Sequence, residues 1–307
     1  MEVKRNQWEA WIYLAPTLIL MAVFTIYPLF NTFFIAFAED YNYMLNEWSG
    51  LGIQNFTDVL KKGAILDYFK TTILITVISV PISVILSLLI AVGLNSIKKF
   101  QKIYQTIFFM PYVTNSIAIG MVFSVIFNAK YGVFNSFIGL FGFDPVNWLG
   151  GNLQVDGVQI YPSYSKSLTV LLVYIIWNAL PFKIMILLSG LQGIDKQYYQ
   201  AAQIDCASKF RVLTKITIPL LSPQVTFLTT TSIIGSFKEY SSIIGVFGDS
   251  EGPIGFGGSM RTVVSYIYYC IAQNDIGLAA AAAVMLFVII MIFTFVKEAL
   301  GNKRVHY

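Results

Sequence analysis

Charge is scarce in this 307-residue chain: Asp, Glu, Lys and Arg make up 12% of it, against 56% hydrophobic residues. A soluble globular protein carries about 25% charged residues, so half of the usual solvating surface is missing and soluble fold classes are excluded. Histidine is nearly absent, and the one copy, His306, lies in the terminal tail. Metal or triad chemistry built on histidine therefore has no centre. Cysteine is limited to Cys206 and Cys270, too few for a disulfide framework or a thiolate metal site. No Gly-x-x-x-x-Gly-Lys-Ser/Thr run occurs, so the chain lacks that phosphate-cradling loop. The first apolar run is too long for a cleavable signal and no small-residue cleavage site follows it, so it reads as a retained span.

What is present is a series of long apolar runs. About 20 consecutive apolar residues cross a bilayer core of about 30 Å at 1.5 Å per residue. Six runs meet that length, and they predict an all-α polytopic membrane protein. They are about Trp11 to Phe37, Thr71 to Leu94, Tyr104 to Phe127, Leu168 to Gly190, Val225 to Phe247 and Ile276 to Leu300. Pro81, Pro111 and Pro181 fall inside the second, third and fourth runs and predict kinks. Residues 1–10 and 301–307 are left as tails, and 11–300 as one transmembrane domain.

The loops carry the charge. Lys4, Arg5, Lys98, Lys99, Lys102, Lys196, Lys209, Arg211, Lys215, Lys297, Lys303 and Arg304 fall on one side; Lys61, Lys62, Lys70, Lys130, Lys166 and Arg261 fall on the other. The second side collects the acids: Glu39, Asp40, Glu47, Asp58, Asp67, Asp144, Asp156, Asp249, Glu251 and Asp275. The positive-inside rule then puts both termini in the cytoplasm. The net charge of +4 thus belongs to membrane topology and not to nucleic-acid binding. On the outer side, a short amphipathic helix is expected around Phe56 to Leu66, turns in "FDPVNWLGGN", and a Gly-rich loop from Gly248 to Arg261.

Between the fourth and fifth runs stands a polar segment, "YYQAAQIDCASKFRVLTKITIPLLSP". Asp195 is placed to cap a helix from Lys196 to near Asp205, and Ser208 a second one to about Thr217. Pro219 is expected to stop the second. On residue chemistry alone the pair reads either as a docking knob with aromatic and aliphatic anchors or as an amphipathic connector on the membrane surface.

The run Gln200-Ala201-Ala202-x-x-Asp205-Cys206-Ala207, followed by Ile216-Thr217-Ile218-Pro219, resembles the EAA motif of ABC-importer permeases. That motif reads Glu-Ala-Ala-x-x-Asp-Gly-Ala and ends in Ile-x-Leu-Pro. The tail "NDIGLAAAAAVMLFVII" is similar to the last span of the carbohydrate-uptake permeases, the maltose and glycerol-phosphate type. The resemblance covers nearly the whole chain from Trp11. Two positions depart from the pattern. Gln200 replaces a glutamate and removes a charge. Cys206 replaces a glycine, at a cost of about 1 kcal/mol if that backbone needs φ > 0.

The resemblance implies a Type I importer fold of six spans, with residues 191–223 as the cytoplasmic coupling loop. Tyr199, Gln200, Ala201, Ala202, Asp205, Cys206, Ala207 and Pro219 would seat on an ATPase. Two separate cytoplasmic ATPases would bind ATP and Mg, and this chain would bind no cofactor. A second, non-identical permease would complete the pathway in the bacterial cytoplasmic membrane. An extracytoplasmic solute-binding protein would deliver the cargo, a carbohydrate and expected to be an oligosaccharide. Glycerol phosphate or another small polar solute remains open, since Lys183 and Lys238 offer cations. Within the spans, ionisable and hydroxyl groups mark a pathway: Trp177, Asn178, Lys183, Ser236, Phe237, Lys238, Glu239 and Tyr240. The competing reading of these groups is glue between helices. An ion-driven secondary transporter would show repeat symmetry, which this sequence does not display.

Overall fold

The computed structural model describes residues 7–62, 65–97, 99, 101–150, 153–155, 158–160, 163–249 and 260–301. Lys4, Arg5, Lys98, Asp156, Glu251, Lys303, Arg304, His306 and most of the expected Gly-rich loop lie outside them. In chain order the first elements are α1 (Gln7–Met21), α2 (Tyr27–Phe37), β1 (Ala38–Glu39), β2 (Gly50–Leu51), α3 (Gln54–Lys62) and α4 (Ile65–Ser96). Then come α5 (Gln101–Val113), α6 (Ser116–Ile126), α7 (Val133–Gly139), β3 (Leu153–Val155), β4 (Val158–Ile160) and α8 (Tyr164–Gly193). The remainder is α9 (Lys196–Ile204), α10 (Lys209–Val212), α11 (Ile218–Leu220), α12 (Ser222–Phe237), α13 (Ser241–Phe247), α14 (Val263–Ala272) and α15 (Ile276–Gly301).

Among the described residues, four helical stretches are long and apolar enough to cross a membrane: Ala10–Phe37, Ile65–Ser96, Tyr164–Gly193 and Ile276–Ala299. These are the first, second, fourth and sixth expected runs. The third is not one rod. Its two halves, Lys102–Val113 and Ser116–Ile126, meet at 98°. The break follows Pro111 but is made by Asn115, whose extended backbone leaves the helix and whose side chain accepts hydrogen bonds from the amides of Ile117 and Ala118. A side-chain cap of this kind starts a new helix. The fifth run is also divided, into α12 and α13, with Lys238 to Tyr240 between them. By contrast α4 and α8 run unbroken through Pro81 and Pro181.

Two other prolines act differently. Single π-helical turns occupy Ala22–Ile26 and Leu213–Thr217. Each ends two residues before a proline, Pro28 and Pro219. A proline ring clashes with the carbonyl four residues back, which is Phe24 or Lys215. Both carbonyls lie within the widened turns, where the closing hydrogen bonds run from Tyr27 to Ala22 and from Ile218 to Leu213. Pro219 therefore does not stop the second helix of the polar segment as expected; the π turn carries the chain through it.

The chain forms two compact units, Met1–Ile65 with Tyr266–Phe287, and Leu66–Ser265 with Val288–Tyr307. In the first, β1 pairs antiparallel with β2, Ala38 opposite Leu51. The amphipathic helix expected near Phe56 is α3, and Phe56 packs on Phe37 at 5.0 Å between ring centroids. Asn55 donates from Nδ2 to the carbonyls of Ala36 and Ala38 at 3.2 and 2.8 Å. Gly277 makes room for it: a Cβ there would stand 2.9 Å from Asn55 Oδ1.

The second unit is held by two apolar clusters. One gathers Ile75, Phe127, Leu168, Leu171, Tyr174, Ile243 and Val246. The other gathers Ala91, Leu94, Ile184, Leu187, Leu188, Leu191, Leu221 and Leu228. Along α4, Ile75 belongs to the first and Ala91 to the second; along α8, Leu171 and Ile184 divide the same way. α4 and α8 therefore run parallel, and the stretch between the clusters is free to be polar. α6 and α13, the C-terminal halves of the two divided runs, pack against each other. Their contact is glycine to glycine, since a Cβ on Gly120 would stand 2.6 Å from the Gly245 Cα.

Candidate functional site

Between the two apolar clusters lies a cavity of about 310 Å³. Ser79 and Ser83 come from α4, and Tyr112 from the end of α5. Ile175, Asn178, Phe182 and Lys183 come from α8, and Thr231, Ser232 and Ser236 from α12. Glu239 and Ser242 enter at the α12–α13 break. The cavity is thus built where the divided runs leave their helical path, which is where irregular backbone is tolerated at membrane depth.

α4 contributes by periodicity. Thr72, Thr76, Ser79, Ser83 and Ser87 are all buried, and their spacing of three or four residues puts them on one face of the helix. Thr72 Oγ1 accepts the Val263 amide at 3.2 Å, and Thr76 Oγ1 lies 3.0 Å from Ser236 Oγ. Ser83 Oγ donates to the Ser79 carbonyl at 2.6 Å and accepts from the Lys183 ammonium. Glu239 is occupied at the α13 start: its Oε1 accepts the Ser242 amide at 3.1 Å, while its carbonyl accepts from Thr262 Oγ1 at 2.7 Å.

Of the eight residues expected along the pathway, Asn178, Lys183, Ser236 and Glu239 line this cavity. The other four do not. Trp177 packs on Phe123, ring centroids 5.5 Å apart, and Phe237 is fully buried against Phe293 at 5.1 Å. Lys238 is exposed on the surface of the chain, and Tyr240 is the half-buried N-cap residue of α13. The sequence reading missed Ser79, Ser83, Tyr112 and Ser242. The two α4 serines were detectable from the hydroxyl spacing on that helix.

The second candidate element is the α9–α10 pair. Asp195 caps α9 by accepting the Gln197 amide at 2.9 Å, and Ser208 caps α10 by accepting the Arg211 amide at 3.3 Å. Between them the chain turns in a Schellman motif. The Ala207 amide donates to the Ala202 carbonyl at 2.9 Å and the Cys206 amide to the Gln203 carbonyl at 3.1 Å. Cys206 stands at φ 51°, the left-handed conformation that glycine favours. Tyr199 Oη and Thr217 Oγ1, 3.3 Å apart, tie the first helix to the π turn.

Gln200, Ala201, Asp205 and Cys206 are exposed; Tyr199, Ala207 and Pro219 are half-buried. Ala202 is buried within the chain, so of the two alanines only Ala201 reaches the surface. Ile204 and Phe210 are 83% and 75% exposed, two large apolar side chains held out by well-capped helices.

Comparison with known proteins agrees with this architecture. Residues 83–306 match the family model for the binding-protein-dependent transport system inner membrane component. The trehalose/maltose transport system permease protein MalF of Thermococcus litoralis is 28% identical over 96% of this chain and 94% of its own length. The arabinooligosaccharides transport system permease protein AraP of Bacillus subtilis is 29% identical over 95% of this chain and 88% of its own. A chain from the crystal structure of a bacterial ABC transporter that imports the acidic polysaccharide alginate superposes with a TM-score of 0.81 over 98% of both chains, at 19% identity. With the family model covering most of its length, this chain belongs to the binding-protein-dependent transport system inner membrane components, and it is a multi-pass membrane protein.

Proposed function

We propose that the chain is one permease subunit of an ATP-driven carbohydrate importer, a six-span Type I fold in which the α5–α6 and α12–α13 pairs each count as one divided span. Residues 191–223 form the coupling loop, and both termini face the cytoplasm of a bacterial cell membrane. The partners are a second, non-identical permease, two ATPases that carry the ATP and Mg, and an extracytoplasmic solute-binding protein. The relatives' names support the cargo class: trehalose or maltose for one and arabinooligosaccharides for another. A cavity rich in hydroxyls, with Asn178 and the rings of Tyr112 and Phe182, offers the hydrogen bonds and apolar faces that a sugar needs.

The observation that carries the coupling reading is the α9–α10 pair. It is capped at Asp195 and Ser208 and closed by a left-handed residue at Cys206, and it presents Ile204 and Phe210 outward. A connector lying on lipid needs no such rigid turn. The test is copurification. The chain is isolated from its native membrane in mild detergent, and the associated ATPase is quantified for wild type, Ala201→Arg and Asp205→Arg. Loss of the ATPase in both variants, with the permease still folded, supports the coupling loop. An intact complex in both would make the pair a membrane-surface connector. Ala202 is unsuitable for this test, because an arginine at a buried position would unfold the turn.

A further inference from the structure

We propose that the cavity selects an anionic solute, a sugar bearing a carboxylate or a phosphate, and that Lys183 is the residue that recognises the charge. This rests on the reading of the cavity as the transport path.

Lys183 lies about two-thirds of the way along α8 and is 5% exposed. Among the described residues its ammonium has one hydrogen-bond partner, Ser83 Oγ. An ammonium carries three donors, so two remain for the cavity that the residue lines. Ser83 is fully used, because its own proton goes to the Ser79 carbonyl. It therefore holds the ammonium in place without neutralising it.

Glu239 lines the same cavity, but among the described residues it forms no ion pair with Lys183. Its carboxylate is committed to the Ser242 amide at the α12–α13 break. The other polar side chains that line the cavity are neutral amides, hydroxyls and a phenol, Asn178, Ser232, Ser236 and Tyr112 among them. Among the described residues the cavity thus holds one cation that no ion pair engages. Such a group at membrane depth is costly unless something pairs with it. A carboxylate or phosphate on the solute supplies the missing partner through charge-assisted hydrogen bonds. A neutral sugar hydroxyl accepts a bond but leaves the charge unpaired. Selection follows from that difference in affinity.

The test uses the complete importer, with its ATPase, second permease and binding protein, in proteoliposomes. A hydrolysate of mixed polysaccharides is divided by anion exchange into neutral, carboxylate-bearing and phosphate-bearing fractions. Uptake from each is read by mass spectrometry. The expected result is uptake from an anionic fraction that falls at least tenfold in Lys183→Met and is largely kept in Lys183→Arg. The two anionic fractions distinguish a uronate from a phosphorylated sugar. Uptake from the neutral fraction alone would overturn the proposal. So would a Lys183→Met variant that lowers uptake from every fraction alike, since Lys183 would then be a tether between α8 and α4. Uptake from no fraction, with the ATPase unstimulated by any of them, rejects the carbohydrate reading itself and is recognisable as that separate failure.

Discussion

At the scale of single residues, Cys206 is the clearest case of backbone geometry overriding side-chain preference. It stands at φ 51° in the turn that closes α9. A Cβ in that conformation costs about 1 kcal/mol or more, and glycine avoids the cost. Cys206→Gly is therefore expected to stabilise the chain by about 1 kcal/mol, less what glycine's greater freedom in the unfolded chain takes back. Thermal unfolding of the detergent-solubilised protein checks the sign: the midpoint should rise. A fall would mean that the thiol makes a contact worth more than the strain. The position was legible in advance only because a glycine is usual there; composition alone gives no hint that residue 206 turns left-handed. The opposite lesson comes from Ala202. Its place beside Ala201 in the sequence suggested equal access, but the turn points one alanine outward and buries the other.

At the scale of elements, four of the six apolar runs are helices long enough to cross a membrane and a fifth is a bent pair, but hydropathy did not reveal which runs are divided. Hydropathy sums over a window and is blind to direction. The third run looks as continuous as the second. The difference lies in Asn115, whose side chain satisfies two amides of α6 and lets the chain bend by 98°. Pro111 was the visible signal, and it sits in the last turn before the bend without making it. The hydroxyl face of α4 was legible by its spacing, but its partners on α8 and α12 were not, because they depend on packing across the bundle. The α6–α13 contact is open to test. Gly120 and Gly245 meet so closely that a single methyl on Gly120 would fall 2.6 Å from the Gly245 Cα and 2.7 Å from its carbonyl carbon. Backbone atoms cannot swing aside as a side chain can. Gly120→Ala should force the two half-helices apart at a cost of about 1 to 3 kcal/mol, seen as a lower unfolding midpoint. Gly139→Ala, where no atom lies within 4 Å of the added Cβ, is the control and should change little. Equal effects in both variants would mean that helix propensity, and not the close approach, decides the outcome.

At the scale of the whole molecule, orientation is the property on which the functional reading turns, and the two native cysteines can report it. Eight of the twenty-one elements among the described residues follow α8 and depend on which side of the membrane its C-terminal end emerges. The proposed orientation rests on a loop bias of twelve basic residues to six, and that bias is a tendency of insertion, not a contact in the folded protein. Cys206 is exposed in the turn between α9 and α10, whereas Cys270 is buried at 3% exposure within α14. A membrane-impermeant maleimide should therefore modify one site, and the side from which it does so fixes the direction of every span. With the chain expressed in the absence of an ATPase that could cover the turn, labelling is expected in inside-out vesicles and not in right-side-out vesicles. Cys206→Ser should abolish it, and Cys270→Ser should leave it unchanged. Labelling from the outside would place Ile204 and Phe210 away from any cytoplasmic partner. The coupling loop would then be lost as an explanation, even though the fold, the cavity and the family would all stand.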